Sequence, residues 1–375
     1  MKKYLEKNPA RSIWEPAIPE VGKYRFAVVV PVCRDREEFR GLVATIPCRE
    51  DAFIVAVVNN DAGAPLSCRE ENQALLSDLR ENSFQRDDLF FLDCATTGRE
   101  LPGDGGVGIA RKTGMDMVLA ILGKRADALI CSLDADTRVE NNYFSAVAAA
   151  FDAHLEWGAA TVQFHHRVDG ENHDMMEAAV RLYEEYMTCY ARKLAEIGSP
   201  YGYLVMGSAQ VVRPSVYVRA GGMRKNRGGE DFYFFQAIRK FAPIGFIGTT
   251  TLHPAARLSD RVPFGTGPAL WKLVKGEGLT LSSDAAFAEV GKVLRCAGRE
   301  PEAFMALPEW SRAYLESEGF FEAWPRILRN TPKNDSARIQ AFHVWFDALR
   351  TLKMLHFLGR HYTNFCPITL KIAVN

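Results

Sequence analysis

Residues 128–136 read Ala-Leu-Ile-Cys-Ser-Leu-Asp-Ala-Asp, an apolar run of strand length that ends in two aspartates. The run from Ala128 to Leu133 predicts a buried strand, so Asp134 and Asp136 lie at its exit and can face one pocket. Three similar runs precede it, with helical patterns between them. The predicted strands are Tyr24 to Val32, Phe53 to Asn59 and Leu89 to Asp93, and the predicted helices are Arg36 to Ile46, Glu70 to Glu81 and Gly108 to Leu122. This alternation predicts an α/β fold with a mostly parallel sheet covered by helices on both faces.

Polar residues stand at the predicted exits of the strands. They are Cys33-Arg34-Asp35, Asn59-Asn60-Asp61 and Asp134-Ala135-Asp136. In open parallel sheets, ligands bind beyond the carboxyl ends of the strands. The sequence therefore predicts a ligand site along this edge of the sheet.

The periodicity divides the chain into a lead-in of residues 1–24, an α/β body of residues 25–265 and a helical extension of residues 266–375. Within the body, apolar residues at three- and four-residue spacing from Met176 to Ile197 predict one long amphipathic helix. From Trp271 onward the patterns are helical, and we expect no strand there.

The composition is that of an ordinary globular protein, with 46 basic and 46 acidic side chains among 375 residues and 47% hydrophobic residues. It excludes collagen-like, disordered and disulfide-framework proteins. The balanced charge gives no field that would draw the chain onto nucleic acid. No apolar run reaches the roughly 18 to 20 residues of a membrane span, so we expect no transmembrane segment, while peripheral membrane contact stays open. Eight cysteines without a Cys-x-x-Cys pair favour free thiols in a reducing cytoplasm.

Asp134 and Asp136 are candidate ligands of Mg²⁺ or Mn²⁺. These ions bind one or two carboxylates together with phosphate oxygens and water, and a nucleoside diphosphate would supply the phosphates. A bare Asp-x-Asp pair has little weight by itself, because about one is expected by chance in a chain of this size. The alternative interpretation is a turn that ends the strand and caps the following helix.

The pair Glu230-Asp231 is a second candidate, since it follows Gly228-Gly229 at a predicted helix start. A carboxylate in that position is usually a helix cap. The preceding segment, Gly221 to Arg227, is a glycine-flanked basic loop, however. Its cations and the two carboxylates form either a solvated ion-pair surface or a mobile phosphate clamp beside a general base. Arg257 is interpreted as a surface ion-pair residue.

The helix that Gly108 introduces is a third candidate, because Arg111 in its first turn suits a diphosphate. Gly103, Gly105 and Gly108 also match the dinucleotide pattern G-x-G-x-x-G. A polar stretch separates these glycines from the preceding strand, which disfavours a nicotinamide dehydrogenase. His253, taken alone, is typical of a hydrogen-bonded core or loop histidine.

Five motifs, in this order, resemble the family 2 glycosyltransferases with the GT-A nucleotide-sugar fold. They are Val28-Val29-Val30-Pro31-Val32, Val57-Val58-Asn59-Asn60-Asp61, Gly108 with Ala110-Arg111, Leu133-Asp134-Ala135-Asp136 and Gly229-Glu230-Asp231. The resemblance covers about residues 25 to 260. It implies an enzyme that moves a sugar from a UDP- or GDP-sugar to an acceptor hydroxyl with the help of Mn²⁺ or Mg²⁺.

The resemblance also implies roles for individual residues. The strand exits would contact the donor base and ribose, Arg111 would lie near the base or the diphosphate, and the basic loop would contact the diphosphate. These donor-binding residues are Pro31, Val32, Arg34, Asn59, Asn60, Asp61, Gly108, Arg111, Asp134 and Arg227. Asp136 is implied as the direct metal ligand, with Asp134 and His253 beside it. Asp231 is implied as the general base and Glu230 as its acidic neighbour, which would invert the anomeric configuration.

The sequence leaves several alternatives open. The run Asn59-Asn60-Asp61 departs from the consecutive aspartates of many family members, so the donor base is undecided, and nothing specifies the acceptor. The competing interpretations are a retaining glycosyltransferase, a sugar-nucleotide pyrophosphorylase and a non-catalytic nucleotide-binding or scaffold protein. A pyrophosphorylase would carry a glycine-rich basic loop directly after its first strand, where this chain has Pro31 to Asp35.

Overall fold

A computed structural model describes residues 2–9, 13–103, 106–123, 125–170, 173–225, 228–259 and 265–372. The chain forms two compact units, of which one comprises residues 1–173 and 205–268 and the other residues 174–204 and 269–375. Residues 174–204, which the sequence analysis places inside the α/β body, thus group with the C-terminal unit. Among the described residues, no helix is both long enough and apolar enough to cross a membrane.

The bounds of the described elements follow the alternation predicted for the first half of the chain. The strands are β1 Trp14–Glu15, β2 Phe26–Val32, β3 Ala52–Asn59, β4 Leu89–Cys94, β5 Leu129–Ser132, β6 Arg138–Val139, β7 Ala159–Phe164, β8 Gln210–Val212, β9 Ile244–His253, β10 Leu279–Leu281 and β11 Ile368–Leu370. The helices are α1 Lys2–Lys7, α2 Arg36–Thr45, α3 Leu66–Arg80, α4 Gly106–Leu122, α5 Tyr143–Ala153, α6 His173–Glu196, α7 Pro214–Arg219, α8 Glu230–Arg239, α9 Thr266–Val274, α10 Asp284–Leu294, α11 Pro301–Met305, α12 Glu309–Ser317, α13 Phe320–Arg329, α14 Asp335–Trp345 and α15 Ala348–His361.

The described strands of the first unit form one sheet in the order β1-β4-β3-β2-β5-β8-β7-β9-β6. Strands β4, β3, β2 and β5 pair in parallel, as do β7 and β9, while β8 is antiparallel to both of its neighbours. Strands β2 to β5 are buried along their whole length, which explains why their sequences are continuously apolar instead of alternating. The predicted α/β class, with a mostly parallel sheet surrounded by helices and with C-terminal helices, is confirmed.

Helix α4 lies unusually close to the middle of this sheet because of Gly114. A Cβ atom at this position would be 2.5 Å from Cγ1 of Val29 on β2 and 2.8 Å from Cγ2 of Val57 on β3. Only glycine tolerates such an approach without displacing the two valines. The close packing sets the height at which the first turns of α4 stand above the strand ends.

The N-terminal helix α1 is attached to α4 through one tyrosine. The Tyr4 hydroxyl donates to Asp116 Oδ1 at 2.8 Å and accepts from Lys112 Nζ at 2.8 Å. Asp116 also accepts from the Tyr217 hydroxyl at 2.7 Å and from Lys112 at 2.8 Å. Gly222 leaves room for this contact, because a Cβ there would be 2.0 Å from the Tyr4 hydroxyl oxygen.

The C-terminal unit has its own aromatic core. Trp324 is fully buried and stacks on Phe320 with a centroid distance of 5.8 Å. Its indole nitrogen donates to the carbonyl of Arg299 at 2.9 Å. Strands β10 and β11 pair antiparallel in the same unit, so the expectation of no strand beyond Trp271 is wrong. Each of these strands has only three residues, which is too short for periodicity to show.

We expect Trp324→Ala to lower the free energy of unfolding of the C-terminal unit by about 3 to 5 kcal/mol, since it opens a cavity in that core. The measurement is urea unfolding followed by circular dichroism. The matched control is Trp271→Ala, whose side chain is already 39% exposed. Equal losses in the two variants would contradict the assignment of Trp324 to the centre of the core.

Candidate active site

The start of helix α8 presents two acidic residues at the predicted position. Gly229 precedes them in the left-handed conformation, with φ of +71°, which a residue with a side chain rarely adopts. Glu230 is buried, whereas Asp231 keeps partial exposure. The Asp231 carboxylate accepts the backbone N–H of Phe232 at 2.7 Å and accepts no side-chain hydrogen bond from the described residues.

The side chain of Arg111 joins this helix start to the exit of strand β5. Its buried guanidinium donates from Nη1 to Glu230 Oε1 and from Nη2 to Asp134 Oδ1, the latter at 2.5 Å. Two motifs that lie almost 100 residues apart in the sequence therefore meet at one cation. Within the part of the chain that the structure describes, the Nε atom of Arg111 has no acceptor.

Gly207 makes room for this guanidinium, and the sequence analysis did not single it out. It lies in the short 3₁₀ helix Gly207–Ala209 that leads into strand β8. A Cβ at Gly207 would be 2.6 Å from Nη1 and 2.9 Å from Nη2 of Arg111. No motif marks this glycine, because the reason for it is a contact with a residue nearly 100 positions earlier.

Burial shifts the proton equilibria of the acidic pair. It raises the pKa of Glu230 to about 6, although the Arg111 charge acts in the opposite direction. Burial raises the pKa of Asp231 as well, again against the effect of Arg111. A carboxylate that is ionised near neutral pH but more basic than in water is suited to accept a proton.

Arg257 forms a second bridge between strand exits. It donates from Nη1 to Asp35 Oδ1 at 2.8 Å, beyond β2, and from Nη2 to Asp136 Oδ2, beyond β5. Burial raises the pKa of the Asp136 carboxyl, and the Arg257 charge opposes that shift. Arg257 thus forms ion pairs, as its interpretation predicts, and one of its partners is a candidate metal ligand.

The two aspartates of the β5 exit form the carboxylate set that a divalent cation uses together with phosphate oxygens and water. Asp136 is close enough to Asp134 for the negative charge of Asp134 to raise its pKa. The residues fit such an ion. His253 pairs in register with Arg138 across β9 and β6. Its Nδ1 lies 3.1 Å from the His165 carbonyl and its Nε2 3.7 Å from Glu140, and its role as a metal ligand stays a prediction. Among the described residues, no group of three or more His, Cys, Asp or Glu side chains converges on one ion position.

The asparagines after β3 hold the strand ends in place. Asn59 is buried and donates from its amide to the carbonyls of Val32 at 3.1 Å and Val57 at 2.9 Å. The Asn60 side-chain oxygen accepts from Asn72 at 2.9 Å, and Asp61 closes a turn by accepting the N–H of Gly63 at 2.7 Å. The Asp61 carboxylate keeps partial exposure at the sheet edge.

The remaining predicted donor-binding residues have varied surroundings. Pro31 and Val32 are buried in β2, so only their backbone could face a ligand. Arg34 is exposed with φ of +56°, and its N–H donates to Asn72 Oδ1 at 3.0 Å. Gly108 is buried in the first turn of α4. Arg227 lies outside the described residues. Donor binding by these residues stays a prediction.

Comparison with known proteins found similar chains among solved structures only. No family model matches the chain, and no curated protein matches it. Among solved structures, residues 1–349 of S. aureus TarS in complex with UDP-GlcNAc share 12% identity, with 87% of this chain and 91% of that chain covered and a TM-score of 0.41. Mannosyltransferase PcManGT from Pyrobaculum calidifontis, in complex with GDP-Man and Mn²⁺, shares 14% identity over 95% of this chain and 90% of that chain, with a TM-score of 0.40. Both likenesses are at low sequence identity, and the roles of individual residues stay predictions.

We expect Glu230→Gln to change how stability depends on pH. The pKa of Glu230 rises from its ordinary value of 4.5 to about 6 on folding, so the folded state binds this proton more tightly than the unfolded state. The contribution of Glu230 to the free energy of unfolding therefore falls as pH rises from about 4.5 to about 6. From well below pH 4.5 to well above pH 6, the stability difference between wild type and variant should change by about 2 kcal/mol, with most of that change between these two values.

Urea unfolding at a series of pH values measures this difference. The variant also loses the ionic contact with Arg111. This loss lowers its free energy of unfolding by about the same amount at every pH, so the dependence on pH is unaffected to a first approximation. A difference that stays constant between pH 4.5 and 6 would show that Glu230 has its ordinary pKa in the folded chain.

Proposed function

We propose that this protein is a glycosyltransferase that moves a sugar from a nucleoside-diphosphate sugar to an acceptor hydroxyl. The observation that carries the proposal is the bridge formed by Arg111, which brings the Asp-x-Asp at the end of β5 together with the Gly-Glu-Asp at the start of α8. One motif supplies donor-binding carboxylates and the other a candidate base. In open α/β sheets ligands bind beyond the carboxyl ends of the strands, which supports a donor site beside the exit of β5.

The donor diphosphate is proposed to lie beside Asp134 and Asp136. These two carboxylates would hold Mn²⁺ or Mg²⁺, which supplies charge to stabilise the diphosphate as it leaves. The Asp134 side chain is 41% exposed and so open to a ligand. Arg257 forms an ion pair with Asp136 and supplies a second positive charge next to the proposed position of the metal ion.

Asp231 is proposed as the general base. Its carboxylate takes the proton of the acceptor hydroxyl, whose oxygen then forms a bond to the anomeric carbon. The bond from that carbon to the diphosphate oxygen breaks, and the electron pair leaves with the nucleoside diphosphate. With the base and the leaving group on opposite sides of the sugar, as proposed, the configuration would invert. Glu230 is proposed to position this helix start through Arg111.

Nucleotide binding is tested by calorimetric titration with UDP and with GDP, each with and without Mn²⁺. We expect one nucleotide to bind in a metal-dependent manner, and we expect Asp136→Ala to abolish the metal dependence because it removes the direct ligand. Asp87→Ala is the matched control, since Asp87 is an exposed aspartate outside the site. Manganese-linked affinity that survives in Asp136→Ala would refute the role of Asp136.

Catalysis is tested with Asp231→Asn, which keeps the size of the side chain and removes the basic oxygen. We expect kcat to fall by about 10²- to 10⁴-fold while nucleotide affinity stays close to that of the wild type. Nuclear magnetic resonance of the first-formed product should show an inverted anomer. A retained anomer would rule out Asp231 as the base. Tight nucleotide binding by wild type without any turnover would instead favour a non-catalytic binding protein.

A further inference from the structure

Asn72 on helix α3 contacts the exits of two neighbouring strands. It is buried, with 1% exposure. Its Oδ1 atom accepts the backbone N–H of Arg34 at 3.0 Å, just beyond β2. Its Nδ2 atom donates to the carbonyl of Asn59 at 3.0 Å and to Oδ1 of Asn60 at 2.9 Å, at the end of β3. Because β2 and β3 pair in parallel, one amide joins two adjacent carboxyl ends of the sheet.

These contacts fix the orientation of two amides. The N–H of Arg34 only donates and the carbonyl of Asn59 only accepts, so the Asn72 amide has one possible orientation. Asn60 then accepts from Asn72 through Oδ1 and donates through Nδ2 to the carbonyl of Asp61 at 3.1 Å. A line of hydrogen bonds thus runs from Asn72 to Asp61, whose side chain keeps partial exposure. This arrangement is strongly preferred, because a buried amide without partners is costly.

Arg34 has an unusual backbone conformation at this contact. Its φ is +56°, in the left-handed region that residues with a side chain seldom adopt. Such a conformation persists only where the surrounding structure fixes it, and it is common at ligand sites. Helix α3 holds this segment a second time, since Glu71 Oε1 accepts the N–H of Arg36 at 3.1 Å. The exposed side chain of Arg34 therefore starts from a backbone that is held in place.

Neither helix formation nor core packing explains an asparagine at position 72. Asparagine is a weak helix former, and it is seldom buried. The other residues on the buried face of α3 are Cys68, Leu75, Leu76 and Leu79. An apolar side chain would continue that stripe. What asparagine adds is the set of contacts with the two strand exits.

We propose that Asn72 is a positioning residue for the nucleoside part of the donor. This step rests on the proposed function, with the exits of β2 and β3 as the predicted contacts of base and ribose. Among the predicted donor-binding residues of these two exits, Arg34 and Asp61 have side chains that reach solvent. Asn72 contacts the first directly and the second through Asn60, and so sets the distance between them. A subsite that is ordered before its ligand arrives binds that ligand more tightly.

The test compares the two halves of the donor. Whichever of UDP and GDP wild type binds is titrated with Mn²⁺ into the Asn72→Ala variant, and inorganic pyrophosphate with Mn²⁺ is titrated in parallel. We expect about tenfold weaker binding of the nucleotide, because the loosened subsite must be ordered on binding. Binding of pyrophosphate, which has no nucleoside, should be unchanged. Weakening of both ligands by the same factor, or of neither, overturns the proposal.

The matched control is Asn142→Ala. The Asn142 side chain also has two hydrogen bonds, one to the carbonyl of Thr249 at 2.9 Å and one from the hydroxyl of Thr250 at 2.9 Å. We expect its affinities for nucleotide and pyrophosphate to equal those of wild type. A loss of nucleotide affinity as large as that of Asn72→Ala would show that the effect is not specific to the two strand exits, and overturns the proposal.

A conservative variant, Asn72→Asp, guards against a folding defect of Asn72→Ala. It keeps the size of the side chain and the acceptor for Arg34, but its carboxyl group has at most one donor. We expect the circular dichroism spectrum of wild type and a nucleotide affinity below that of wild type, with pyrophosphate affinity unchanged. Wild-type nucleotide affinity in this variant overturns the proposal.

Hydrogen exchange of the ligand-free protein tests the positioning step without a nucleotide. We expect backbone amides in residues 33–36 and 59–63 to exchange faster in Asn72→Asp than in wild type, while those in residues 134–137 exchange at the same rate. Unchanged exchange at both strand exits overturns the positioning role.

The outcomes separate this proposal from the proposed function. Nucleotide binding by wild type that is unaffected in both Asn72 variants refutes the role of Asn72 alone. Wild type that binds neither nucleotide refutes the proposed function and, with it, the assignment of this subsite to a nucleoside.

Discussion

The architecture of the site depends on one buried cation. The guanidinium of Arg111 is removed from water and does not lose its proton in a protein, so it must be surrounded by anions. Asp134 and Glu230 supply them, and this requirement fixes the distance between the exit of β5 and the start of α8. Taking away one partner of such a buried group typically costs about 3 to 5 kcal/mol, because the remaining charge is left uncompensated. Asp231 is thereby held at the sheet edge by an interaction in which it has no hydrogen bond of its own.

Arg257 also bridges two carboxylates, but its side chain is more exposed to water than that of Arg111. It joins Asp35 to Asp136 across the exits of β2 and β5, but its side chain is 34% exposed instead of buried. An ion pair that water reaches is worth much less than a buried one. The Arg111 bridge is therefore a permanent part of the structure, whereas the Arg257 bridge can exchange partners at modest cost when a ligand brings new charges.

Sequence patterns predict the parts of this protein that depend on neighbours along the chain. The apolar runs before Cys33, Asn60 and Asp134 specify the strands, and the polar residues that follow them mark the edge where we propose that the donor binds. Contacts between distant segments leave no such mark. Gly207 is required by the side chain of Arg111, and Arg257 obtains its role from Asp35 and Asp136, both more than 100 residues earlier. For His253 the contacts with His165 and Glu140 are likewise unmarked in the sequence, and its role as a metal ligand stays a prediction.

Helix α1 is anchored to the helix that carries Arg111. Tyr4 shares the Asp116 carboxylate with Lys112 and Tyr217, and Lys112 directly follows Arg111 in helix α4. Helix α1 therefore contacts the turn of α4 that carries the Arg111 guanidinium. Removal of the first few residues would thus take away two hydrogen bonds to the helix that carries Arg111.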